Sequence, residues 1–295
     1  MYKNLLTQRL CNPLHTTMKV EAFVLRLDLV HPVVSGNKWF KLKYYLENAR
    51  ASAAKGLISF GGAYSNHLVA LSYACAEQGF HSAAFIRGED HADNPSLLQM
   101  KENGMQLMFV SREEYKHKEN LLSRLSVSHP DFMIVPEGGM GADGIRGAAD
   151  ILSTVHCDYT HFICAVGTGT TMAGLISAST PNQQVIGIVS LKVQSEIQNE
   201  LLDFLTKNCS SRNYKVLFNY HFGGYARKTD ELINFMNSFY VREKIPTDFV
   251  YTGKMFFAIE DLVASGYFPA GSKILAIHSG GLQGNRSLPE QTLLF

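Results

Sequence analysis

Leu57-Ile58-Ser59-Phe60-Gly61-Gly62-Ala63-Tyr64-Ser65-Asn66-His67 decides the fold. A short apolar run of this kind reads as a buried strand. Two glycines then let the chain turn, and Ser65 is placed to cap a helix over 66–79. The same unit repeats downstream. Strands are expected at Ser82–Ile86, Gln106–Val110 and Phe132–Val135. Helices are expected from Asn94-Pro95 and over Arg112–Leu125. Strands alternating with helices call for a parallel sheet. Residues 46–140 therefore read as a small α/β domain, closed by Pro136-Glu137-Gly138-Gly139-Met140-Gly141. Upstream, residues 20–29 alternate as a strand. Trp39–Ala54 reads as a helix with Gly56 at its C-terminal cap. Downstream, helices are expected over Ala142–His156, to about Ser179, and over Glu196–Lys207, Thr229–Arg242 and Met255–Ser265. Strands are expected at Thr160–Val166, Val185–Val189, Lys215–Tyr220 and Lys273–His278. The fold class is α/β, in two open lobes of parallel or mixed sheet, with 1–45 and 141–295 making the larger domain.

The 295 residues suffice for two modest domains. A net charge of +1 leaves no basic footprint for nucleic acid. No run reaches the length of a membrane helix, so no membrane partner is expected. Met1–Leu14 lacks the apolar core of a signal peptide. Five scattered cysteines (Cys11, Cys75, Cys157, Cys164, Cys209) form no CxxC pair, and no metal site is expected. Cys75 and Cys164 lie in apolar runs and read as small buried hydrophobes. A reducing cytoplasm fits.

Three loops carry chemistry. In Ser35-Gly36-Asn37-Lys38-Trp39, Asn37 reads as a helix N-cap and Lys38 falls in the first turn. A cation there gains nothing from the helix dipole. Lys38 is either a solvated surface lysine or an amine that its positive surroundings keep neutral and nucleophilic. Gly167-Thr168-Gly169-Thr170-Thr171 joins an apolar strand to a helix, which makes an anion cradle of free N–H groups and hydroxyls. It is neither a Walker loop nor a full GxGxxG fingerprint, so one phosphate suits it better than a dinucleotide. Ser65 and Asn66 dress a second helix N-terminus that suits a carboxylate. His67 reads as a structural histidine rather than the base of a Ser-His hydrolase, because GxSxG is absent.

A reactive lysine, a phosphate cup and a carboxylate cup suit pyridoxal phosphate and a small amino acid. Gly36-Asn37-Lys38 with Lys41-Leu42 resembles the GNKxRKLE motif around the Schiff-base lysine of the 1-aminocyclopropane-1-carboxylate deaminase/D-cysteine desulfhydrase family. Gly61-Gly62 with Ser65-Asn66-His67 resembles its GGxQSNH motif, and Gly167–Thr171 its GSGGT phosphate loop. Tyr251-Thr252-Gly253-Lys254 and His278-Ser279-Gly280-Gly281 are similar to its VYTGK and HTGG segments. The resemblance spans residues 36 to 281 and implies a tryptophan synthase β-like fold (fold type II). It implies that Lys38 holds the cofactor and that Gly167, Thr168, Gly169, Thr170 and Thr171 hold its phosphate. It places Asn66 at the ring hydroxyl, Ser65 at the substrate carboxylate beside Tyr64 and His67, Tyr225 and Tyr251 as active-site tyrosines, and Thr252 at the pyridine nitrogen. It also implies a homodimer.

Thr252 stands where the deaminase carries glutamate, and Ser279 where it carries leucine. An anionic partner keeps the ring nitrogen protonated and the ring a strong electron sink, whereas a neutral hydroxyl does not. Loss of a thiolate from Cβ needs that sink less than cyclopropane opening does. The expected activity is therefore D-cysteine desulfhydrase-like, giving pyruvate, ammonia and sulfide. Freed Lys38 would take the Cα proton, and Tyr225 or Tyr251 would assist the sulfur. The alternatives are the ring-opening deaminase and a non-catalytic binder of pyridoxal phosphate or a phosphometabolite. The D preference comes from the resemblance alone. Tyr64, Phe40, Lys43, Ser35, Thr168 and Thr170 depart from the family pattern. Tyr64 bears on substrate identity.

Overall fold

The computed structural model describes residues 5–295 except 91–92, 156–157, 193 and 210–212. Cys157 and His156 lie outside the described residues. The helix expected from Ala142 to His156 stops at Ala149, and a separate tight turn at Leu152–Thr154 follows it. Two sheets organise the chain. The larger contains β1 (Thr7–Arg9), β2 (Glu21–Leu25), β7 (His161–Val166), β8 (Gln184–Val189), β9 (Tyr214–Leu217) and β10 (Lys273–Ile277), in the order β1-β2-β10-β7-β8-β9. Among the described residues, only the β1–β2 pair is antiparallel. The smaller contains β3 (Gly56–Gly62), β4 (His81–Arg87), β5 (Met105–Val110) and β6 (Phe132–Ile134), all parallel, in the order β5-β4-β3-β6.

Strand periodicity explains why the central strands of both sheets are apolar on both faces. In β10, Ile274 and Ala276 enter one core cluster while Leu275 and Ile277 enter the cluster on the other face. In β3, Leu57 faces one core and Ile58 and Phe60 the other. Strands covered on both faces lose the polar alternation of a half-exposed sheet. Cys75 and Cys164 are buried in these cores, as expected.

Five helices position the site: α1 (Asn37–Ala51), α2 (Asn66–Gln78), α3 (Ala142–Ala149), α4 (Thr170–Ala178) and α5 (Thr252–Ala264). Ser65 caps α2, and Gly79 ends it in the left-handed region.

Several boundaries differ from the sequence reading. The strand expected over 20–29 stops at Leu25, and a tight turn at Leu27–Leu29 follows. Buried Arg26 grips Asp28 two residues on, through bonds of 2.8 and 2.6 Å, and folds the chain away from the sheet. Gly56 does not cap a helix. α1 ends at Ala51, and Gly56 opens β3, where a Cβ would sit 2.6 Å from the His81 carbonyl oxygen. The helix expected over 112–125 is two, Arg112–Lys116 and Lys118–Ser128. Tyr115 and Leu121 both enter the core beneath β3 and β4. On one continuous helix they would point about 120° apart, so the break at His117 brings them to the same side.

Candidate functional site

The loops that leave the carboxyl ends of β3, β7 and β10 meet where the sheets face each other, the position at which open parallel sheets bind ligands. Gly36 precedes α1 with φ 72°, and a Cβ there would lie 1.7 Å from the Ser279 carbonyl oxygen. Only glycine admits this approach, which sets the start of α1 against Ser279-Gly280.

Asn37 is not the cap of α1. Gly36 takes that place and Asn37 is the first helical residue. Its side chain instead joins two parts of the site. Its amide nitrogen donates to Thr171 Oγ1 at 2.8 Å, and its Oδ1 accepts from Lys38 Nζ at 2.8 Å. The amine of Lys38 is thus one side chain away from the threonine loop. Burial pushes the Lys38 ammonium down to about 8, and the Asp248 carboxylate partly offsets this. Loss of water is the cause, not the positive surroundings expected from the sequence, and the charge that acts on Lys38 is a negative one.

At the Gly167–Thr171 loop, Gly169 adopts the left-handed conformation and caps α4. Thr168 and Thr170 share a hydroxyl–hydroxyl bond of 3.0 Å. The first-turn N–H groups of α4 have no helical acceptors and point out of the helix start. Thr170 and Thr171 are buried. Gly167 lies under Tyr251, with the position of a Cβ 3.4 Å from its ring.

On the facing sheet, Ser65 Oγ accepts from Leu68 N at 3.3 Å. Asn66 crosses the cleft and donates to the Gly281 carbonyl at 2.9 Å, while its Oδ1 is buried without a partner among the described residues. His67 is buried with Nε2 2.8 Å from Ser59 Oγ, and burial, reinforced by Lys41 and Lys38, holds it well below the usual imidazole range. Its Nδ1 is buried without a partner among the described residues, so the ring is only half satisfied. Tyr64 and Tyr225 are exposed, and Tyr225 meets Tyr251 edge-on at 6.4 Å. Thr252 is fully buried, its hydroxyl held by Asp248.

Three residues of the site were not named as such from sequence. Lys41, one turn after Lys38, is 3% exposed, and no hydrogen bond or ion pair holds it among the described residues. Gly139 packs close to its side chain, and burial next to Lys38 drives its ammonium well below the ordinary range. Such a group calls for an anion. Its i,i+3 spacing from Lys38 was the available signal. Asp248 is fully buried, and its two oxygens accept from three backbone N–H groups and Thr252 Oγ1. Fully buried Lys254 donates to the carbonyls of Ser190, His221 and Gly224 at 3.1, 2.9 and 2.8 Å. It fastens the loop that carries Tyr225.

These features fit pyridoxal phosphate. A nucleophilic amine, an unpartnered amide oxygen, a hydroxyl-lined helix start and a buried lysine amine that an anion would recharge are the complements of its aldehyde, ring hydroxyl and phosphate.

The family described as pyridoxal-phosphate dependent enzyme matches residues 9–280. A 1-aminocyclopropane-1-carboxylate deaminase of Rhizobium rhizogenes is 28% identical, over 90% of this chain and 88% of that one. The mitochondrial bifunctional D-cysteine desulfhydrase/1-aminocyclopropane-1-carboxylate deaminase of Arabidopsis thaliana is 26% identical, over 90% of this chain and 73% of that one. A crystal structure described as an ACC deaminase homologue superposes with a TM-score of 0.81 at 26% identity, covering 96% of this chain and 90% of that one.

Proposed function

The chain belongs to the pyridoxal-phosphate dependent enzymes, with the fold type II architecture, and on that premise we propose that it eliminates the β-substituent of a small amino acid, as a D-cysteine desulfhydrase does. The observation that carries this reading is the Asn37 bridge, which ties Lys38 Nζ to Thr171 of the threonine loop. Bound there, pyridoxal phosphate supplies an electron sink for carbanion chemistry at Cα. Lys38 would hold its aldehyde and afterwards move the Cα proton. Gly167, Thr168, Gly169, Thr170, Thr171 and Lys41 would hold its phosphate, and Asn66 Oδ1 would receive its hydroxyl. Ser65, beside Tyr64, would orient the substrate carboxylate at the start of α2. Tyr225 or Tyr251 would serve the leaving sulfur. Asn66 bridges the cleft to the Gly281 carbonyl.

The ring-opening deaminase remains a second reading because Asp248 lies directly behind Thr252. We place the small domain at 46–140 and the larger at 1–45 and 141–295. The four-stranded sheet lies wholly within the first, which supports this division. We also propose a cytoplasmic homodimer. The four described cysteines are all unpaired, which supports a reducing compartment. No described helix is long and apolar enough to cross a membrane.

The test begins with cofactor-loaded protein. The visible absorbance of a lysine-bound cofactor is expected, and Lys38→Ala is expected to abolish it. A band that survives that substitution refutes the Lys38 assignment. Release of 2-oxo acid from D-cysteine, L-cysteine, D-serine and 1-aminocyclopropane-1-carboxylate is then measured. Turnover of D-cysteine supports elimination, and turnover of the cyclopropane acid alone replaces it with ring opening.

A further inference from the structure

We propose that Asp248, acting through the hydroxyl of Thr252, makes this a site that accepts the pyridine nitrogen of the cofactor only in its protonated form. The inference rests on the reading that Thr252 faces that nitrogen, and it reverses the electronic argument drawn from Thr252 alone. A threonine hydroxyl has one proton and two lone pairs. Here one lone pair accepts the Asp248 backbone N–H at 2.8 Å. The proton goes to Asp248 Oδ1 at 2.7 Å. One lone pair remains, so the hydroxyl can receive a further hydrogen bond but cannot give one.

Asp248 is not free to change that arrangement. The backbone N–H of Thr252 donates to Oδ1 at 2.9 Å, and those of Val250 and Tyr251 donate to Oδ2 at 2.9 and 2.8 Å. Backbone amides can only donate, so the carboxylate is an acceptor on both oxygens. It is fully buried and has no ion-pair partner among the described residues. Turning the Thr252 proton toward a ligand would strip a buried carboxylate oxygen of a donor. A neutral pyridine nitrogen offers only a lone pair, which would face another lone pair. A protonated one supplies the missing donor and sets its positive charge near a buried negative one. Asp248 is therefore a positioning residue. It holds a neutral threonine in the orientation that reproduces the effect of a carboxylate at that place.

The experiment loads the enzyme with cofactor nitrogen-15-labelled in the ring and reads the ring-nitrogen resonance in the resting holoenzyme. The wild type is expected at the pyridinium position. Thr252→Ser keeps the hydroxyl and is expected to stay there. Thr252→Val is expected to shift to the neutral pyridine position, and Asp248→Asn to shift in the same direction. Asp248→Asn also disturbs the start of α5, so the two Thr252 variants decide the matter without it. A neutral ring in wild type, or a Thr252→Val resonance unmoved from wild type, overturns the proposal. A protein with a Lys38-dependent visible band and a neutral ring loses only the role given to Asp248. A protein that takes up no cofactor loses both that role and the proposed function.

Discussion

Lys38 gives up its proton more readily than an exposed lysine because burial strips water from the ammonium, and a single carboxylate, Asp248, only partly offsets the loss. Its value falls from 10.5 to about 8, so between those two pH values the unfolded chain holds a proton that the folded chain has released. Folding stability contributed by this group therefore rises as pH climbs from about 8 to 10.5, and the neutral amine is the majority form above about 8. Cofactor capture by apoprotein, followed by growth of the visible band, should show its pH midpoint near about 8. A midpoint at the ordinary lysine value would refute the burial argument. Lys254 offers a second test at this scale. Lys254→Met leaves three carbonyls without their donor. It should cost about 2 kcal/mol in denaturant unfolding and speed amide exchange at His221–Gly224, with turnover falling as Tyr225 loosens.

Helices α1, α3 and α4 pack more closely than side chains would permit, and glycine is the reason. A Cβ on Gly147 would stand 2.0 Å from the Phe40 carbonyl oxygen, and one on Gly174 would stand 2.4 Å from Ala148 Cβ. The face of α1 brought in this way carries Phe40 and Lys41. Gly147→Ala should push α1 outward, destabilise the protein by about 1–3 kcal/mol, and weaken cofactor affinity by displacing Lys38 and Lys41. Gly79→Ala is the matching control. It sits at φ 76° with nothing within 4 Å of its Cβ position, so it should cost about 1 kcal/mol and leave affinity unchanged. Chemical denaturation and cofactor titration of both variants separate packing at the site from backbone strain away from it.

Across the whole molecule, Asn66 of the smaller sheet's loop holds Gly281 after β10, and Asn37 holds Thr171 after β7. Cofactor that touches all three loops should bind the folded form alone and raise its stability. At 100-fold excess over its Kd the gain should be about 2.7 kcal/mol, read as a higher Tm with cofactor than without. Asn66→Ala should shrink that gain by weakening the affinity, whereas a gain equal to wild type would remove Asn66 from the ring-hydroxyl role. The mixed and parallel architecture that frames these loops was legible in advance. The cross-cleft contacts were not, since Asn66 and Gly281 stand 215 positions apart.

Local chemistry along the chain settled the alternation of strands and helices, the glycine-threonine loop, the Ser65 cap and the lysine at the start of α1. Each depends on residues within a turn or two of one another. Partners distant in sequence settled the rest. Asn37 reads locally as a cap and becomes a bridge because Thr171, 134 positions away, takes its amide. Lys41 carries no local sign of burial and becomes a buried amine because the loop at Gly139 packs against its side chain. The helix expected over 112–125 breaks because two side chains must enter one core. Burial and hydrogen-bond satisfaction are properties of the assembled chain, and they change the charge and the donor count of groups whose identity the sequence already shows.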